Sequence, residues 1–325
     1  MKAILCRKLG GPEVLELAEV ADPKPGPGEV SVRVSVVGLN FFDTLMLAGK
    51  YQSRPELPFS PGAECAGRIE ALGEGVTQWR VRERVAAYPG HGCCREVIVL
   101  RADRLLRVPD SVTDEQAAGL IVTYGTSLHA LKDRARLKPR ETLAVLGAAG
   151  GVGLAAVEIG HAMGARVIAC ASSADKLSLA VEHGADLTLD YATRDVKEGL
   201  RALSEGRGAD VIYDPVGGDL AEPALRAIAW QGRYLVVGFA AGTIPKIPLN
   251  LALLKGCDIQ GVFWGAFVER EPLTHRANMD QIFAWTKEGK LSAHVHHVFA
   301  LAETAAALGV LARREAKGKV LVKVG

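Results

Sequence analysis

The residues whose types and spacing point most directly to chemistry are three glycines that follow a short apolar run. The run Thr142–Leu146 leads into Gly150, Gly151 and Gly153, and a helical pattern begins near Leu154. Glycine allows a tight turn and lets the backbone come close to a ligand. The N-terminus of a helix offers unpaired N–H groups and a positive dipole end to an anion. This arrangement predicts a loop that binds a pyrophosphate.

The glycine pattern alone is a weak signal, and a tight structural turn is the alternative. The spacing departs from GxGxxG because Ala148 stands at its first position. The surrounding order of elements favours the dinucleotide-binding interpretation, since a strand precedes the loop, a helix follows it, and a second strand is predicted at Arg166–Cys170.

The end of that second strand indicates which dinucleotide binds. An NAD enzyme places Asp or Glu there, against the ribose hydroxyls, whereas this chain has Ser172 and Ser173, with Lys176 one helical turn later. Hydroxyls and an ammonium can bind a 2′-phosphate that a carboxylate would repel. Asp175 is acidic, but it should lie inside the following helix. We therefore expect NADPH as the cofactor.

The elements that must position this loop form an alternating pattern between about residues 114 and 264. Segments of helical length and composition, such as Lys176–His183 and Asp219–Trp230, separate the apolar runs. This alternation predicts a doubly wound parallel sheet of the Rossmann type. The six predicted strands are Thr142–Leu146, Arg166–Cys170, Leu187–Leu189, Val211–Tyr213, Arg233–Val237 and Ile259–Phe263.

The two ends of the chain have a different texture. Short β-type runs broken by Gly and Pro fill the first ~118 residues, which is typical of a β-rich domain. The last segment returns to strand material at Ala293–Phe299 and Lys319–Val324, so we expect it to fold back onto the first domain. The predicted domains are residues 1–118 with 265–325, and residues 119–264.

Composition excludes several classes of protein. The net charge of +2, from 39 basic and 37 acidic residues, argues against a nucleic-acid-binding protein. The six cysteines are scattered without a CxxC pair, so neither a disulfide scaffold nor a zinc ribbon is supported. No uncharged run is longer than Thr142–Val157, which is too short to span a bilayer, and the start of the chain is already a strand pattern rather than a leader. A cytoplasmic protein without membrane partners is the expectation.

Several motifs together resemble the medium-chain dehydrogenase/reductase superfamily, and within it the zinc-free quinone oxidoreductases related to ζ-crystallin. The resemblance covers essentially the whole chain and implies a GroES-like fold for the β-rich domain. The motifs that carry it are Val37–Asp43, Phe59–Gly67, Thr123–Leu131, Ala148–Gly153 and the Gly318–Val322 ending.

Zinc-dependent members of this superfamily keep a Cys, a His and a further ligand at fixed places, and this chain departs from them there. It has Asn40 where the Cys would stand and Ala63 where the His would stand, and the third place falls near Val122. Glu64 and Asp43 remain, but they cannot make the three-ligand site that catalytic zinc needs. The resemblance therefore implies no metal.

The resemblance also implies site residues. Asn40 and Thr126 should lie near the nicotinamide, and Tyr51 should line the substrate pocket and donate a hydrogen bond, with Asn40 and Tyr51 as the catalytic pair. Lys319 is expected to reach the cofactor from the last strand. The remaining cofactor residues implied are Gly150, Gly151, Val152 and Gly153 at the pyrophosphate, Ser172, Ser173, Lys176 and Tyr191 at the 2′-phosphate, and Phe239, Phe263 and Trp264 at the nicotinamide end.

The activity this implies is NADPH-dependent reduction of a quinone by hydride transfer without zinc. Two alternatives stay open: an NADPH-dependent reductase of enone or enoyl-thioester C=C bonds, and a non-catalytic NADPH-binding crystallin-like or RNA-binding protein. Members of the family commonly pair the last sheet strand across a two-fold axis, so a homodimer is expected, with a small electrophilic molecule as the other partner.

Overall fold

The computed structural model describes residues 1–325 and divides into two compact units: residues 1–122 with 279–325, and residues 123–278. Segment 265–278, which the sequence prediction gave to the β-rich domain, lies in the second unit. There the His129 ring stacks on Phe267 with 3.8 Å between ring centroids, and Asn278 donates a 2.8 Å hydrogen bond to Asp133. These contacts hold the segment to the second unit.

The secondary structure alternates between short strands and short helices. The strands are β1 (Lys2–Cys6), β2 (Leu15–Glu19), β3 (Glu29–Leu39), β4 (Glu64–Leu72), β5 (Arg84–Ala87), β6 (Val97–Arg101), β7 (Leu106–Arg107), β8 (Thr142–Leu146), β9 (Arg166–Ala171), β10 (Leu187–Asp190), β11 (Ala209–Asp214), β12 (Ile228–Val236), β13 (Asp258–Gly261), β14 (Val295–Ala300) and β15 (Lys319–Lys323). The α-helices are α1 (Phe41–Leu47), α2 (Asp114–Leu128), α3 (Gly151–Ala162), α4 (Ala174–Glu182), α5 (Val196–Leu203), α6 (Ala221–Arg226), α7 (Asn250–Lys255), α8 (Trp264–Arg270), α9 (Pro272–Lys287) and α10 (Thr304–Ala312).

The first unit is built on a mainly antiparallel sheet with strand order β14-β15-β3-β4-β5-β7, and β6 also pairs with β3. Strand β3 holds the sheet together because it pairs with β4, β6 and β15. Val30, Val32 and Val34 are buried, and every residue from Val36 to Leu39 is buried as well, as in a strand covered on both faces. The C-terminal strand β15 returns to this sheet and lies antiparallel to β3.

The second unit is built on a six-stranded parallel sheet in the order β10-β9-β8-β11-β12-β13. All five residues of β8 are buried, as in a strand covered on both faces. This strand order is that of the doubly wound Rossmann fold, so the predicted fold class is confirmed. The order reverses between β8 and β11, and ligands bind in such sheets beyond the carboxyl ends of the strands at this point.

Two local predictions are wrong. The predicted helix Asp219–Trp230 ends early, because α6 stops at Arg226 and the chain from Ile228 onward is strand β12. Gln231 has φ +59°, and a following glycine breaks the alternation that would have indicated a strand. The last strand ends at Gly261 rather than Phe263, since Phe263 is the residue before helix α8.

Cysteine placement and helix length complete the fold. All six cysteines are free and buried, and none is more than 8% exposed. None of the helices combines the length and the apolar content that crossing a bilayer requires.

Candidate active site

The glycine loop connects β8 to α3 and is tightly wound. Gly147 has φ +61°, in the left-handed region that favours glycine. Ala148 N–H donates to the carbonyl oxygen of Cys170 at 3.0 Å, which ties the loop to β9. A Cβ on Gly153 would lie 2.2 Å from the carbonyl oxygen of Gly147. Position 153 therefore accepts only glycine without movement of the backbone.

The start of helix α3 fits a pyrophosphate. Gly150 is the N-cap residue, and no side chain caps the helix, so the first-turn N–H groups are left for a ligand or water. A Cβ on Gly150 would meet one atom within 4 Å, the Gly147 oxygen at 3.4 Å. The missing side chain thus leaves an open approach to an uncapped helix N-terminus, which is the arrangement that binds phosphate groups.

The end of β9 carries polar groups of the kind that bind a phosphate ester. Ser172 is exposed, Ser173 is the N-cap of α4, and Lys176 is half-buried in the first turn of that helix. Asp175 lies inside α4, and Ser173 Oγ donates a hydrogen bond to it. Tyr191 follows β10, where its backbone N–H donates to the carbonyl oxygen of Ala171 at 3.0 Å. The structure thus brings all four predicted 2′-phosphate residues to the carboxyl ends of neighbouring strands.

Asp214, at the end of β11, was not identified from the sequence. Its buried carboxylate accepts hydrogen bonds from the backbone N–H groups of Val216 and Gly217, both at 2.8 Å, and from the hydroxyl of Tyr234. Burial raises the pKa of Asp214. The feature of the sequence that could have identified Asp214 is its place as an acidic residue at the end of an apolar strand. The loop that it fixes packs against Phe239, which follows β12: a Cβ on Gly217 would lie 2.8 Å from a carbon of the Phe239 ring.

The predicted nicotinamide-end residues of the second unit have different surroundings. Thr126 is buried on helix α2. Trp264, 4% exposed, lies against Gly125, where a Cβ would meet the indole ring at 2.8 Å. Phe263 is 59% exposed. Helix α2 contacts the glycine loop directly, because Ser127 Oγ donates to the carbonyl oxygen of Val152 at 2.9 Å.

The first unit holds a buried polar cluster around Asn40. Lys319 Nζ donates to Asn40 Oδ1 at 2.7 Å and to Glu64 Oε1 at 2.5 Å, and Asn40 Nδ2 donates to the same Glu64 oxygen at 2.9 Å. Glu64 Oε2 accepts from the backbone N–H of Val122 at 2.7 Å. The exposed fractions are 0% for Glu64, 4% for Lys319 and 7% for Asn40. We call Asn40, Glu64 and Lys319 the Asn40 cluster.

Asp43 fixes the backbone of this cluster. Its carboxylate accepts from the backbone N–H of Asn40 at 2.7 Å and of Gly62 at 3.2 Å. Burial raises the pKa of Asp43 to about 7, although these hydrogen bonds and the Lys319 ammonium act in the opposite direction. Asp43 is therefore partly protonated at neutral pH, and its contacts are those of a group that holds a loop in shape.

Tyr51 stacks on Phe42, with ring centroids 5.1 Å apart and the planes at 18°. Burial, and secondarily the Asp43 carboxylate, raise the pKa of the Tyr51 hydroxyl. The hydroxyl therefore keeps its proton at neutral pH and can act only as a hydrogen-bond donor or a neutral acceptor.

The partnership of Glu64 and Lys319 was not foreseen from the sequence. Each is the only charged residue in a short stretch of small or apolar residues, Gly62–Gly67 for Glu64 and Gly318–Val322 for Lys319. This isolation is the one feature of the sequence that could have indicated a buried charge. The two residues are 255 positions apart, and only the pairing of β15 and β4 with β3 brings them together.

Comparison with known protein families gives matches for two separate parts of the chain. Residues 26–110 match the family described as alcohol dehydrogenase GroES-like domain, and residues 151–281 match the family described as zinc-binding dehydrogenase.

Relatives are similar over nearly the whole chain. A quinone oxidoreductase-like protein 2 homolog of Nematostella vectensis is 38% identical over 99% of this chain and 88% of that protein. A quinone oxidoreductase of Pseudomonas aeruginosa is 36% identical over 99% of both. The crystal structure of Escherichia coli quinone oxidoreductase complexed with NADPH superposes with a TM-score of 0.94 at 27% identity, covering all of both chains.

The residues of this chain do not fit the zinc ion that one family description mentions. In the Asn40 cluster the available oxygens, Asn40 Oδ1 and Glu64 Oε1, already bind the Lys319 ammonium. No three His, Cys, Asp or Glu side chains are grouped so that they could hold a metal ion.

Proposed function

We propose, because this chain belongs to the zinc-free quinone oxidoreductases of the medium-chain dehydrogenase/reductase family, that it reduces a quinone with NADPH. The chain is an oxidoreductase. The observation that carries the cofactor assignment is the end of β9, where Ser172, Ser173 and Lys176 stand in place of a carboxylate. NADPH in the similar Escherichia coli structure supports the same cofactor.

The nicotinamide, when NADPH is bound, supplies a hydride. The chain's own residues bind and orient the cofactor: Gly150, Gly151, Val152 and Gly153 present backbone N–H groups to the pyrophosphate, and Lys176 pairs with the 2′-phosphate. The remaining proposed cofactor residues are Thr126, Tyr191, Phe239, Phe263, Trp264, Asn40 and Lys319.

Reduction of a quinone to a hydroquinone takes one hydride and one proton. Tyr51 Oη is the proposed hydrogen-bond donor to the developing oxyanion, because burial keeps its proton in place and stacking on Phe42 fixes the ring. The proton that completes the hydroquinone is taken up from water. Asn40 is the second proposed catalytic residue. A donor held in position toward a developing negative charge lowers the barrier without reorganisation of solvent.

Steady-state oxidation of NADPH, followed by absorbance, tests the proposal with four acceptors: 1,4-benzoquinone, 9,10-phenanthrenequinone, an alkenal and crotonyl-CoA. We expect turnover of at least one quinone. Turnover of the alkenal or the thioester alone would instead assign the chain to C=C reduction, and no turnover of either quinone would contradict the proposal.

Lys176→Ala is expected to weaken NADPH binding about tenfold to hundredfold, because a charge-assisted hydrogen bond contributes roughly 1.5–3 kcal/mol. NADH lacks the 2′-phosphate, so its affinity should stay unchanged. Titration of cofactor fluorescence measures both constants. Lys197→Ala, which removes a half-buried lysine paired with Glu198, is the matched control. An equal loss of affinity for both cofactors would show that Lys176 does not bind the 2′-phosphate.

The homodimer is also part of the proposal, through the sheet edge at β13. This strand pairs only with β12, and exposed apolar side chains lie on β12 and on α7, which packs against β12: Leu253 is 80%, Trp230 68% and Leu254 66% exposed. The side-chain oxygen of Gln260 on β13 is buried and accepts no hydrogen bond. An open edge with apolar neighbours is favourable for pairing with a second copy.

Leu253→Glu combined with Leu254→Glu should convert the dimer to a monomer, because a carboxylate cannot be buried without a partner. Sedimentation velocity gives the mass of each species. Leu17→Glu, which places the same charge at an exposed leucine of β2, should leave the dimer intact. A monomeric wild-type protein would refute the dimer.

A further inference from the structure

Two separate hydrogen bonds determine the orientation of the Asn40 carboxamide. The Lys319 ammonium can only donate, so it requires the amide oxygen on its side, 2.7 Å away. The Glu64 carboxylate can only accept, so it requires the amide nitrogen, 2.9 Å away. Turning the carboxamide over would place donor against donor and acceptor against acceptor. Both ions therefore select the same orientation.

That orientation leaves one specific group available for a ligand. Of the two Nδ2 hydrogens, one is bonded to Glu64, and the other has only a 3.5 Å contact with the carbonyl oxygen of Gly38. A distance of 3.5 Å is at the outer limit for a hydrogen bond. The amide therefore offers an N–H donor, whereas its oxygen is already used by the ammonium.

The ion pair itself is a poor source of stability. Glu64 and Lys319 are 0% and 4% exposed, and the desolvation of two buried charges offsets most of their attraction. An apolar or neutral pair of similar volume is often as stable, so the need for stability does not explain the pair. The backbone of Asn40 is held separately, by the Asp43 carboxylate.

We propose that Glu64 and Lys319 are positioning residues that fix the Asn40 carboxamide as a hydrogen-bond donor. The group it recognises is then an acceptor atom, such as the carbonyl oxygen of a bound cofactor amide or acceptor, and not a hydroxyl hydrogen or an N–H. The inference rests on the proposed function for its catalytic consequence, but the orientation of the amide can be measured without turnover.

The central variant is the double substitution Lys319→Met with Glu64→Gln. Either single change leaves the cluster with a mismatched partner, and Lys319→Met should destabilise the protein strongly because Glu64 keeps an unpaired buried charge. The double variant removes both charges together. The amide that Glu64→Gln introduces still has an oxygen for the N–H of Val122, so the thermal unfolding midpoint should return toward that of the wild type.

Turnover in the double variant separates positioning from stability. If Glu64 and Lys319 serve only to neutralise each other, quinone turnover recovers together with the unfolding midpoint, and the proposal is overturned. If the pair positions Asn40, kcat stays lower by on the order of a hundredfold, the effect of misplacing an aligned group. The KM for the quinone should change much less.

The amide can be observed directly because the chain has three asparagines, Asn40, Asn250 and Asn278. Selective ¹⁵N-asparagine labelling therefore gives three side-chain NH₂ pairs in a heteronuclear correlation spectrum, and Asn40→Ser identifies one of them by its loss. We expect the Asn40 pair to shift or broaden in the double variant while the Asn250 pair stays in place. An unchanged Asn40 pair would overturn the proposal.

The chain offers a matched control in a second lysine–asparagine pair. Lys132 Nζ donates to Asn278 Oδ1 at 2.9 Å. Lys132→Met should move the Asn278 pair and leave both the Asn40 pair and kcat unchanged. If the wild type reduces no quinone, the proposed function fails, and the spectra alone decide whether Glu64 and Lys319 orient the amide.

Discussion

Gly153→Ala is expected to cause a severe loss of NADPH binding. The new Cβ would lie 2.2 Å from the carbonyl oxygen of Gly147, so the glycine loop must move. A moved loop no longer directs the first-turn N–H groups of α3 at the pyrophosphate. Losing two hydrogen bonds to a charged group weakens binding by on the order of a thousandfold. Isothermal titration with NADPH measures the effect.

Two other glycines of the same region separate ligand binding from folding. Gly150→Ala places a Cβ at an ordinary 3.4 Å from Gly147 and should lower NADPH affinity without changing stability, because it occupies space that the pyrophosphate uses. In Gly160→Ala the new Cβ would lie 2.5 Å from the Leu143 side chain, at the end of α3 away from the loop. This variant should change the free energy of unfolding but not the affinity for NADPH. Wild-type affinity in Gly153→Ala would refute this account of the loop.

Asp43→Asn is expected to remove a large part of the pH dependence of stability between about pH 4 and pH 8. The folded pKa of Asp43 is about 7, well above the ~3.9 of an unfolded aspartate, so the fold favours the protonated carboxyl. Its stabilising contribution is complete below about pH 4 and is lost as the pH rises through 7. The loss is at most about 1.4 kcal/mol per pH unit and on the order of 4 kcal/mol in total.

Urea unfolding at several pH values measures this slope. The difference in the free energy of unfolding, variant minus wild type, should rise with pH. Any stability lost with the carboxylate oxygen itself changes this difference by the same amount at every pH. Asp214→Asn is a second test in the other unit, because burial raises the pKa of Asp214 as well, and the two effects on the slope should add. Parallel pH profiles for wild type and Asp43→Asn would contradict a raised pKa at this position.

The sequence predicted the second unit well because its signals are local. The central strands of the parallel sheet are short apolar runs, and the run Thr142–Leu146 matches β8 residue for residue. The glycine loop and the polar end of β9 are also read from consecutive residues. The helix prediction for Asp219–Trp230 failed where a left-handed Gln231 interrupts the strand pattern. There the local signal was misleading.

The Asn40 cluster lies beyond such reasoning. Glu64 and Lys319 are 255 residues apart, and neither residue's neighbours in the sequence indicate that a charge of the opposite sign is near. The raised pKa of Asp43 has the same origin, since it depends on burial by the fold rather than on adjacent residues. Residues that act in pairs across a sheet require the register of the strands, which hydrophobic periodicity does not give.

The burial of every cysteine has a consequence for the proposed reduction of quinones. These acceptors are soft electrophiles that alkylate thiolates, and a thiol reacts only when it is accessible and ionised. Here Cys257, at 8% exposed, is the most accessible, and burial raises the pKa of its thiol, as it does for Cys6, Cys93, Cys94 and Cys170. The fold thereby protects the enzyme from covalent inactivation by the compounds it would turn over.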